Sequence, residues 1–205
     1  MSDSYYISDT HFGHHNIIKY GDRPFKTTEE MDDYIVTMWN QTVKSNDHVS
    51  HLGDFTMDRG GRVQRERMQK LVKSLNGHKR LYLGNHDHFP AQVYLDAGFE
   101  KLYATWRCEE GFICSHFPLH PQSLSTATAC VHGHIHQRQA YDPVVFKEWV
   151  KDRSGIKTTI PGRVVPYINV SVEAVAYTPV HKDTILALIE KVNEQIPSSR
   201  TTSER

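Results

Sequence analysis

Residues 7–18 read ISDTHFGHHNII, and this stretch joins the end of an apolar strand to polar residues that a protein core does not accept unpaired. The residues SYYIS (4–8) predict a short strand. Asp9 and His11 are two positions apart, so an extended backbone would point both side chains in one direction.

The same arrangement recurs at four later predicted strands, each of which ends in residues that bind metals or transfer protons. These residues are Asp54 after HVSHL (48–52), Asn85, His86 and Asp87 after RLYLG (80–84), His116 at the end of GFICSH (111–116), and His134 and His136 after ACVHG (129–133). Because ligands gather at the carboxyl ends of strands in open α/β sheets, we expect one shared site.

Seven of these side chains are candidate metal ligands, namely Asp9, His11, Asp54, Asn85, His116, His134 and His136. They offer oxygen and nitrogen atoms without a thiolate, which suits Mn²⁺, Fe, Zn²⁺ or Ni²⁺ better than Cu(I) or an iron–sulfur cluster. Tetrahedral zinc takes four ligands. Seven ligands are therefore more than one ion binds, and they suit two ions that share a bridging carboxylate. Two ions about 3.5–4 Å apart are a common device for in-line phosphoryl displacement.

Helical patterns alternate with these strands, which is typical of α/β architecture. The predicted helices are TTEEMDDYIVTMWNQTVKS (27–45), in which Thr27 and Glu30 form a capping box, RVQRERMQKLVKSL (62–75), the short PAQVYLDAG (90–98) and KDTILALIEKVNEQ (182–195). The segment YINVSVEAVAYTPV (167–180) is rich in strand-forming residues. We expect a single domain over 1–196, with 137–166 as an insertion or a lid and 197–205 as a disordered tail.

Composition excludes several classes of protein. Lys plus Arg and Asp plus Glu balance at 24 each, which argues against a protein held on nucleic acid mainly by phosphate neutralisation. The chain has no run of 18 apolar residues and no charged-then-apolar leader, so we predict no membrane span and no signal peptide. Cys108, Cys114 and Cys130 lack metal-motif spacing, and reduced thiols in a cytoplasmic protein are the simplest interpretation.

The motifs DTH, GD, GNHD, SH and GHIH occur in this order between residues 5 and 136. With them, the sequence resembles the calcineurin-like metallophosphoesterase family, and its opening looks like a subgroup of small, stand-alone bacterial and phage phosphoesterases. The resemblance implies a four-layer αββα sandwich of two mixed β-sheets, with the metal site at the carboxyl ends of the strands. Every motif position is present, which favours an enzyme over a non-catalytic binding scaffold.

The resemblance also implies a role for each residue. Asp9, His11 and His136 would hold the first metal, and Asn85, His116 and His134 would hold the second. Asp54 would bridge the two ions, and His86 would act as proton donor or oxyanion stabiliser. Two divalent cations would lower the pKa of a shared water, so that hydroxide attacks phosphorus in line. Mn²⁺ is favoured over Fe, Zn²⁺, Ni²⁺ and Mg²⁺.

The substrate contacts are open to two interpretations each. His14 either reaches the substrate or, like His15, belongs to a surface turn. Arg59 lies in GDFTMDRGGR (53–62), which resembles the GD…DRG signature of phosphoprotein phosphatases with one more residue between the elements. Arg59 either clamps a phosphate or lies in a solvated turn. The basic residues from Arg59 to Lys73 either follow a nucleic-acid backbone or form a solvated helix face, and we favour the face.

Three further residues also have a structural interpretation. Asp87 either orients a ligating histidine or caps the next helix. His51 and His132 lie inside predicted strands, where a structural role is favoured.

The function that fits these observations is a binuclear phosphodiesterase acting on nucleotides or small phosphodiesters. The alternatives are a phosphomonoesterase or phosphoprotein phosphatase, favoured if Arg59 is essential, and a nuclease, favoured by salt-sensitive activity on single strands. No oligomeric state is predicted.

Overall fold

The structure is a computed structural model that describes residues 2–151 and 157–194. The strands are β1 (Ser4–Ile7), β2 (His48–His51), β3 (His78–Tyr82), β4 (Phe99–Tyr103), β5 (Thr105–Arg107), β6 (Ile113–Ser115), β7 (Cys130–His132), β8 (Val144–Lys151), β9 (Lys157–Val165), β10 (Tyr167–Asn169) and β11 (Val180–His181). The α-helices are α1 (His15–Tyr20), α2 (Thr28–Thr42), α3 (Arg62–Ser74), α4 (Ala91–Ala97) and α5 (Lys182–Glu194), and a short 3₁₀ helix covers Pro121–Leu124.

The first sheet has the strand order β11-β1-β2-β3-β4. Strands β1 to β4 are parallel, and β11 is antiparallel to β1. Right-handed crossovers between consecutive parallel strands place the connecting helices on one face of the sheet. Accordingly, Ile35 of α2, Val72 of α3 and Tyr94 of α4 share one apolar cluster with Ile7 and Leu81 of the sheet.

The second sheet has the order β10-β7-β6-β5, in which only the β5–β6 pair is antiparallel. Tyr6 and Tyr82 of the first sheet pack with Cys114 and Val131 of the second in a cluster between the sheets. The outer face of the second sheet is covered by the 3₁₀ helix, through Leu124. The predicted α/β class, with two mixed sheets, is confirmed.

Helix α2 begins as its sequence predicts and ends at Thr42, three residues earlier than predicted. The hydroxyl of Thr27 accepts a hydrogen bond from the Glu30 N–H at 3.1 Å, as an N-cap does. The helix then buries one stripe of residues completely, at a spacing of four: Met31, Ile35 and Trp39.

Several elements differ from the sequence-based prediction. Helix α1 and strands β4 and β5 were not predicted: α1 has only six residues, and all three β5 side chains are exposed, so neither shows an apolar period. The segment 167–180 forms only the strands β10 and β11 at its ends. Ala176 and Tyr177 have left-handed backbones (φ 50° and 59°), which no strand accommodates.

Within the segment 137–166, β8 and β9 pair as an antiparallel ribbon. Val144 and Val165 pack against the outer face of the second sheet. A role as insertion or lid remains a prediction, and the predicted tail 197–205 lies outside the described residues. In the part of the chain that the structure describes, no helix combines the length and apolar character needed to cross a membrane.

Candidate metal centre

The residues that follow the strands are brought together at one edge of the two sheets. Three of the strands concerned, β1, β2 and β3, are parallel neighbours, so their carboxyl ends coincide. Strands β6 and β7 are also parallel to each other. The seven candidate ligands therefore approach one site from both sheets, as the shared-site expectation required.

The backbone at these residues turns sharply and is not extended, so our expectation for Asp9 and His11 is wrong in this detail. Five of the seven have left-handed backbones: Asp9 (φ 57°), His11 (φ 50°), Asp54 (φ 55°), His134 (φ 73°) and His136 (φ 54°). Asp and His accept this conformation more readily than most residues. It still costs about 1–3 kcal/mol at each position. The fold therefore stores strain where it presents these side chains.

Asp9, His11 and His136 form one group, in which one ligand atom from each residue lies within 4.8 Å of the others. Asp9 Oδ2 accepts hydrogen bonds from the His134 N–H and the Ser171 hydroxyl, both at 2.9 Å. These bonds fix the carboxylate and leave Oδ1 for another partner. Burial lowers the pKa of His11, so its imidazole is neutral and can bind a cation.

Asp54, His116 and His134 form a second group with the same spacing. The Nδ1 atom of His116 lies 2.8 Å from the carbonyl oxygen of Leu52, to which it donates. This bond directs Nε2 of His116 into the site, where the Asn85 Oδ1 atom is 3.0 Å away. Asn85 therefore lies beside the second group, although its own side chain is exposed.

Asp54 lies between the two groups. Its Oδ2 atom is 3.5 Å from His11 Nε2 of the first group and 3.4 Å from His116 Nε2 of the second. Burial acts to raise the pKa of Asp54, but the hydrogen bond and charge of His116 and a hydrogen bond from the His86 backbone N–H hold it well below its usual range. An ionised carboxylate in this position suits a bridging ligand.

His86 adjoins the first group, with its ring centre 5.4 Å from that of His11. Its backbone N–H donates to Asp54 Oδ1 at 2.8 Å, which ties the loop after β3 to the candidate bridge. Its Nδ1 atom is buried and has no hydrogen-bond partner among the described residues. The predicted role of His86 as proton donor remains a prediction.

The residues present fit two divalent cations. Asp9 Oδ1 and both ring nitrogens of His11 are buried without a hydrogen-bond partner in the described part of the chain. Buried polar atoms without partners are unfavourable, and a cation would satisfy them. The oxygen and nitrogen donors suit Mn²⁺, Fe, Zn²⁺ or Ni²⁺. The two groups fit a binuclear metal centre, and the individual ligand roles remain predictions.

Glu173 and Arg23 support the first group and were not predicted. Nδ1 of His136 donates to Glu173 Oε1 at 2.9 Å, and the Arg23 guanidinium lies 2.7 Å from the same oxygen. Arg23 also donates to the backbone oxygens of Asp9 and Thr10 at 2.7 and 2.9 Å. The sequence contains one signal that could have identified Glu173, because it is the only charged residue within the apolar stretch INVSVEAVAY.

Within the described residues, Asp87 neither binds a ligating histidine nor caps helix α4, the two roles considered from the sequence. Its carboxylate accepts hydrogen bonds from the backbone N–H groups of Asp54 (2.8 Å), Phe55 (3.0 Å) and Gly84 (2.8 Å). It therefore joins the loop after β2 to the loop after β3. The two loops are held so closely that a Cβ atom at Gly84 would overlap the Asp54 carboxylate. Glycine is required there for space.

His14 and Arg59, the predicted substrate contacts, lie near the site. The His14 ring centre is 5.6 Å from that of His11, at the start of α1. Burial lowers the pKa of His14, and the positive charges of Arg23 and Arg59 lower it further. Arg59 is exposed. Contact of either residue with a substrate remains a prediction, and His15 is exposed at the surface.

A cavity of about 240 Å³ opens beside the metal centre. His134 and His136, one residue from each group, line this cavity together with Tyr20 and Arg138. Tyr20 is 73% exposed, a large fraction for an aromatic side chain, although a single such residue is ordinary on a protein surface.

The sequence was compared with models of protein families, and the model described as calcineurin-like phosphoesterase matches residues 5–182. The chain belongs to this family. The resemblance of the five motifs is therefore confirmed, and the match includes all seven candidate ligands and every strand except the first residue of β1.

Relatives of this calcineurin-like phosphoesterase come from several sources. It is 35% identical to the uncharacterized protein MJ1445 of Methanocaldococcus jannaschii over 191 residues, which are 93% of each chain. It is 35% identical to the Gene 66 protein of Mycobacterium phage D29 over 104 residues, 50% of this chain and 49% of the phage protein. A solved structure, the protein of unknown function AQ665 from Aquifex aeolicus, superposes with a TM-score of 0.65 at 25% identity, covering 92% of this chain and all of that one.

Membership of this family identifies a class of reaction. The calcineurin-like phosphoesterases are hydrolases of phosphate esters. Together with the two groups of candidate ligands, this supports a metal-dependent phosphoesterase.

Proposed function

We propose that this phosphoesterase hydrolyses phosphodiesters, with nucleotides or other small diesters as substrates and Mn²⁺ as the preferred metal. The observation that carries the proposal is the position of Asp54. One of its carboxylate oxygens, Oδ2, lies within 3.5 Å of ligand nitrogens from both groups. Two cations held by these residues would supply positive charge to a bound phosphate and lower the pKa of a nearby water.

The chain's own residues supply the remaining steps. His86 lies beside the first group, and its imidazole is placed to donate a proton to the leaving oxygen or to stabilise its charge. The backbone bond from His86 to Asp54 keeps this imidazole close to the reacting phosphate. Arg23 and Glu173 hold the Asp9 loop and His136, so that the first group keeps its geometry without reorganising.

The cavity beside His134 and His136 supports a diester with two substituents. A phosphate at the two groups would leave one substituent facing this cavity, between Tyr20 and Arg138. An aromatic ring and a guanidinium suit a nucleoside, because bases stack on aromatic side chains and on Arg. Phe117 provides a second exposed ring, with its centre 4.6 Å from that of His134.

The proposal is tested by hydrolysis of a matched pair, bis(p-nitrophenyl) phosphate and p-nitrophenyl phosphate. Metal-stripped protein receives Mn²⁺, Ni²⁺, Zn²⁺ or Mg²⁺ singly. We expect Mn²⁺ to restore more diesterase than monoesterase activity. Faster monoester hydrolysis would favour a phosphomonoesterase. Salt-sensitive cleavage of single-stranded DNA or RNA in preference to the small diester would favour a nuclease.

Three variants connect that activity to the site. Asp54→Asn removes the shared charge and should abolish activity and lower the number of bound Mn²⁺ ions. His86→Ala should lower kcat by a factor of about 10² to 10⁴ while metal binding persists. His78→Ala is the matched control, because His78 is exposed at the amino-terminal end of β3, and it should match wild type. Loss of the metals in His86→Ala would contradict the role given to His86.

A further inference from the structure

Two cysteines that belong to neither group of candidate metal ligands form a thiol pair. Cys108 directly follows β5, and Cys114 lies in β6, the strand that pairs with β5. The Cys108 N–H donates to the Phe112 carbonyl at 2.9 Å, which continues the pairing past the end of β5. The Sγ atoms are 3.8 Å apart, and both thiols are free.

The two thiols differ in access to solvent. Cys114 is completely buried in the cluster between the sheets, whereas Cys108 is half-buried. Cys108 also lines a polar cavity of about 220 Å³ between the sheets, together with Tyr6, Ser50 and Arg80. A small reagent in this cavity can therefore reach Cys108 before it can reach Cys114.

The surroundings of Cys108 favour its thiolate. The hydrogen bond from Cys114 lowers the pKa of Cys108, as do the hydrogen bond from the Tyr6 hydroxyl and the charge of Arg80. Burial and the charge of Glu110 act in the opposite direction. The Nε atom of Arg80 is buried and has no hydrogen-bond partner among the described residues. Glu110 is itself paired with Lys182 at 2.6 Å.

We propose that Cys108 and Cys114 are an oxidisable dithiol, in which Cys108 reacts with a small hydroperoxide and Cys114 then closes an intramolecular disulfide. The Cys108 sulfur attacks one oxygen of hydrogen peroxide, the O–O bond breaks, and the second oxygen leaves as water after taking up a proton. Cys108 becomes a sulfenic acid. The Cys114 sulfur then attacks the Cys108 sulfur, the S–O bond breaks, and water leaves with the Cys114 proton.

The overall reaction balances. Two thiols lose two electrons and two protons, and one hydrogen peroxide becomes two waters. The sulfur atoms must approach from 3.8 Å to about 2.05 Å. Because Cys108 is at the end of β5 and half-buried, its side chain can rotate toward Cys114, which the core holds in place.

The test treats the native full chain with hydrogen peroxide, unfolds it, alkylates it with N-ethylmaleimide and measures the intact mass. Of the three thiols, two should be protected and Cys130 should react, and a tryptic peptide should join Cys108 to Cys114. Dithiothreitol should restore all three thiols. Three reactive thiols after peroxide treatment, or a cross-link that includes Cys130 or a second chain, would overturn the proposal.

Variants separate the two roles. In Cys114→Ser, Cys108 should stop at the sulfenic acid and be trapped by dimedone, whereas Cys108→Ser should keep both remaining thiols. Cys130→Ser is the matched control, because Cys130 packs in the cluster on the outer face of the second sheet and Cys114 in the cluster between the sheets, and it should form the same cross-link as wild type. Dimedone labelling of Cys114 in Cys108→Ser, at the rate seen for Cys108, would contradict the assignment. The wild-type measurement stands even where a variant fails to fold.

Discussion

Glu173 and His136 are joined by a hydrogen bond of 2.9 Å from the imidazole Nδ1 to the carboxylate Oε1, across 37 residues of sequence. The same oxygen is 2.7 Å from the guanidinium of Arg23, and both the Arg23 and Glu173 side chains are almost completely buried. The hydrogen bond sets the orientation and basicity of His136, a candidate metal ligand. The ion pair with Arg23 holds the Glu173 carboxylate in place for this bond. Two predictions about metal affinity and stability follow from this arrangement.

Glu173→Gln should weaken Mn²⁺ binding at the first group by about 10- to 100-fold, because the amide orients His136 poorly and makes it less basic. Isothermal titration of the metal-stripped protein measures this directly. Unfolding should also require less urea, since Arg23 loses its partner in a buried pair, a change that costs about 3–5 kcal/mol. Glu66→Gln, which breaks an exposed pair with Arg62, should change neither quantity measurably. Unchanged Mn²⁺ affinity in Glu173→Gln would show that His136 is positioned by other contacts.

Asp87→Asn should destabilise the protein by about 1–3 kcal/mol, because one amide oxygen cannot accept the three backbone N–H groups that the carboxylate accepts. The free energy of unfolding in urea, measured without metal, tests this. Asp96→Asn is the control, since Asp96 is exposed on α4 and accepts a hydrogen bond from Gln92 one turn earlier in that helix. Equal stability of the two variants would mean that Asp87 does not hold the two loops together.

The protein should become less stable as the pH decreases, because His51 is buried. This ring is completely buried, lies 3.0 Å from the Thr10 hydroxyl and stacks on Trp39. Burial lowers its pKa to about 3 in the folded chain, against about 6.5 when unfolded. Between these values the unfolded state binds one more proton, so stability present above pH 6.5 is lost as the pH decreases, by up to about 1.4 kcal/mol per pH unit.

His51→Gln removes this contribution and should make the dependence of unfolding free energy on pH between about 4 and 6.5 less steep than in wild type. His78→Gln, at an exposed position, should leave the wild-type dependence unchanged. The measurement is urea denaturation of metal-stripped protein at several pH values. Parallel curves for wild type and His51→Gln would contradict the prediction.

Tyr20→Ala should raise KM for a nucleotide diester through loss of stacking worth about 0.5–1.5 kcal/mol, a factor of about 2 to 10. The two substrates to compare are the p-nitrophenyl ester of thymidine 5′-monophosphate and methyl p-nitrophenyl phosphate, which lacks the nucleoside. Only the first should show the higher KM. Val63→Ala, at another highly exposed apolar position, should affect neither substrate. An equal effect of Tyr20→Ala on both substrates would exclude base stacking on Tyr20.

The sequence determined the site's chemistry because its signals are local. Each candidate ligand lies within four residues after the end of a short strand, and parallel strands end at one edge, so Asp9, Asp54 and His116 were predictable as neighbours. Likewise, the apolar stripe and the N-cap of α2 depend only on residues within and next to that helix. Strand β5 and helix α1 lack an apolar period, so they carried no such signal.

Only the tertiary structure decided which distant side chains support that site. Arg23 meets Glu173 across 150 residues, and Asp87 binds backbone N–H groups 32 and 33 residues earlier as well as that of Gly84. The left-handed backbones at five candidate ligands are a further example. A local pattern records hydrophobic period and hydrogen-bonding preference. Pairings between loops depend instead on strand order and on the packing of two sheets, which no short stretch of this chain specifies.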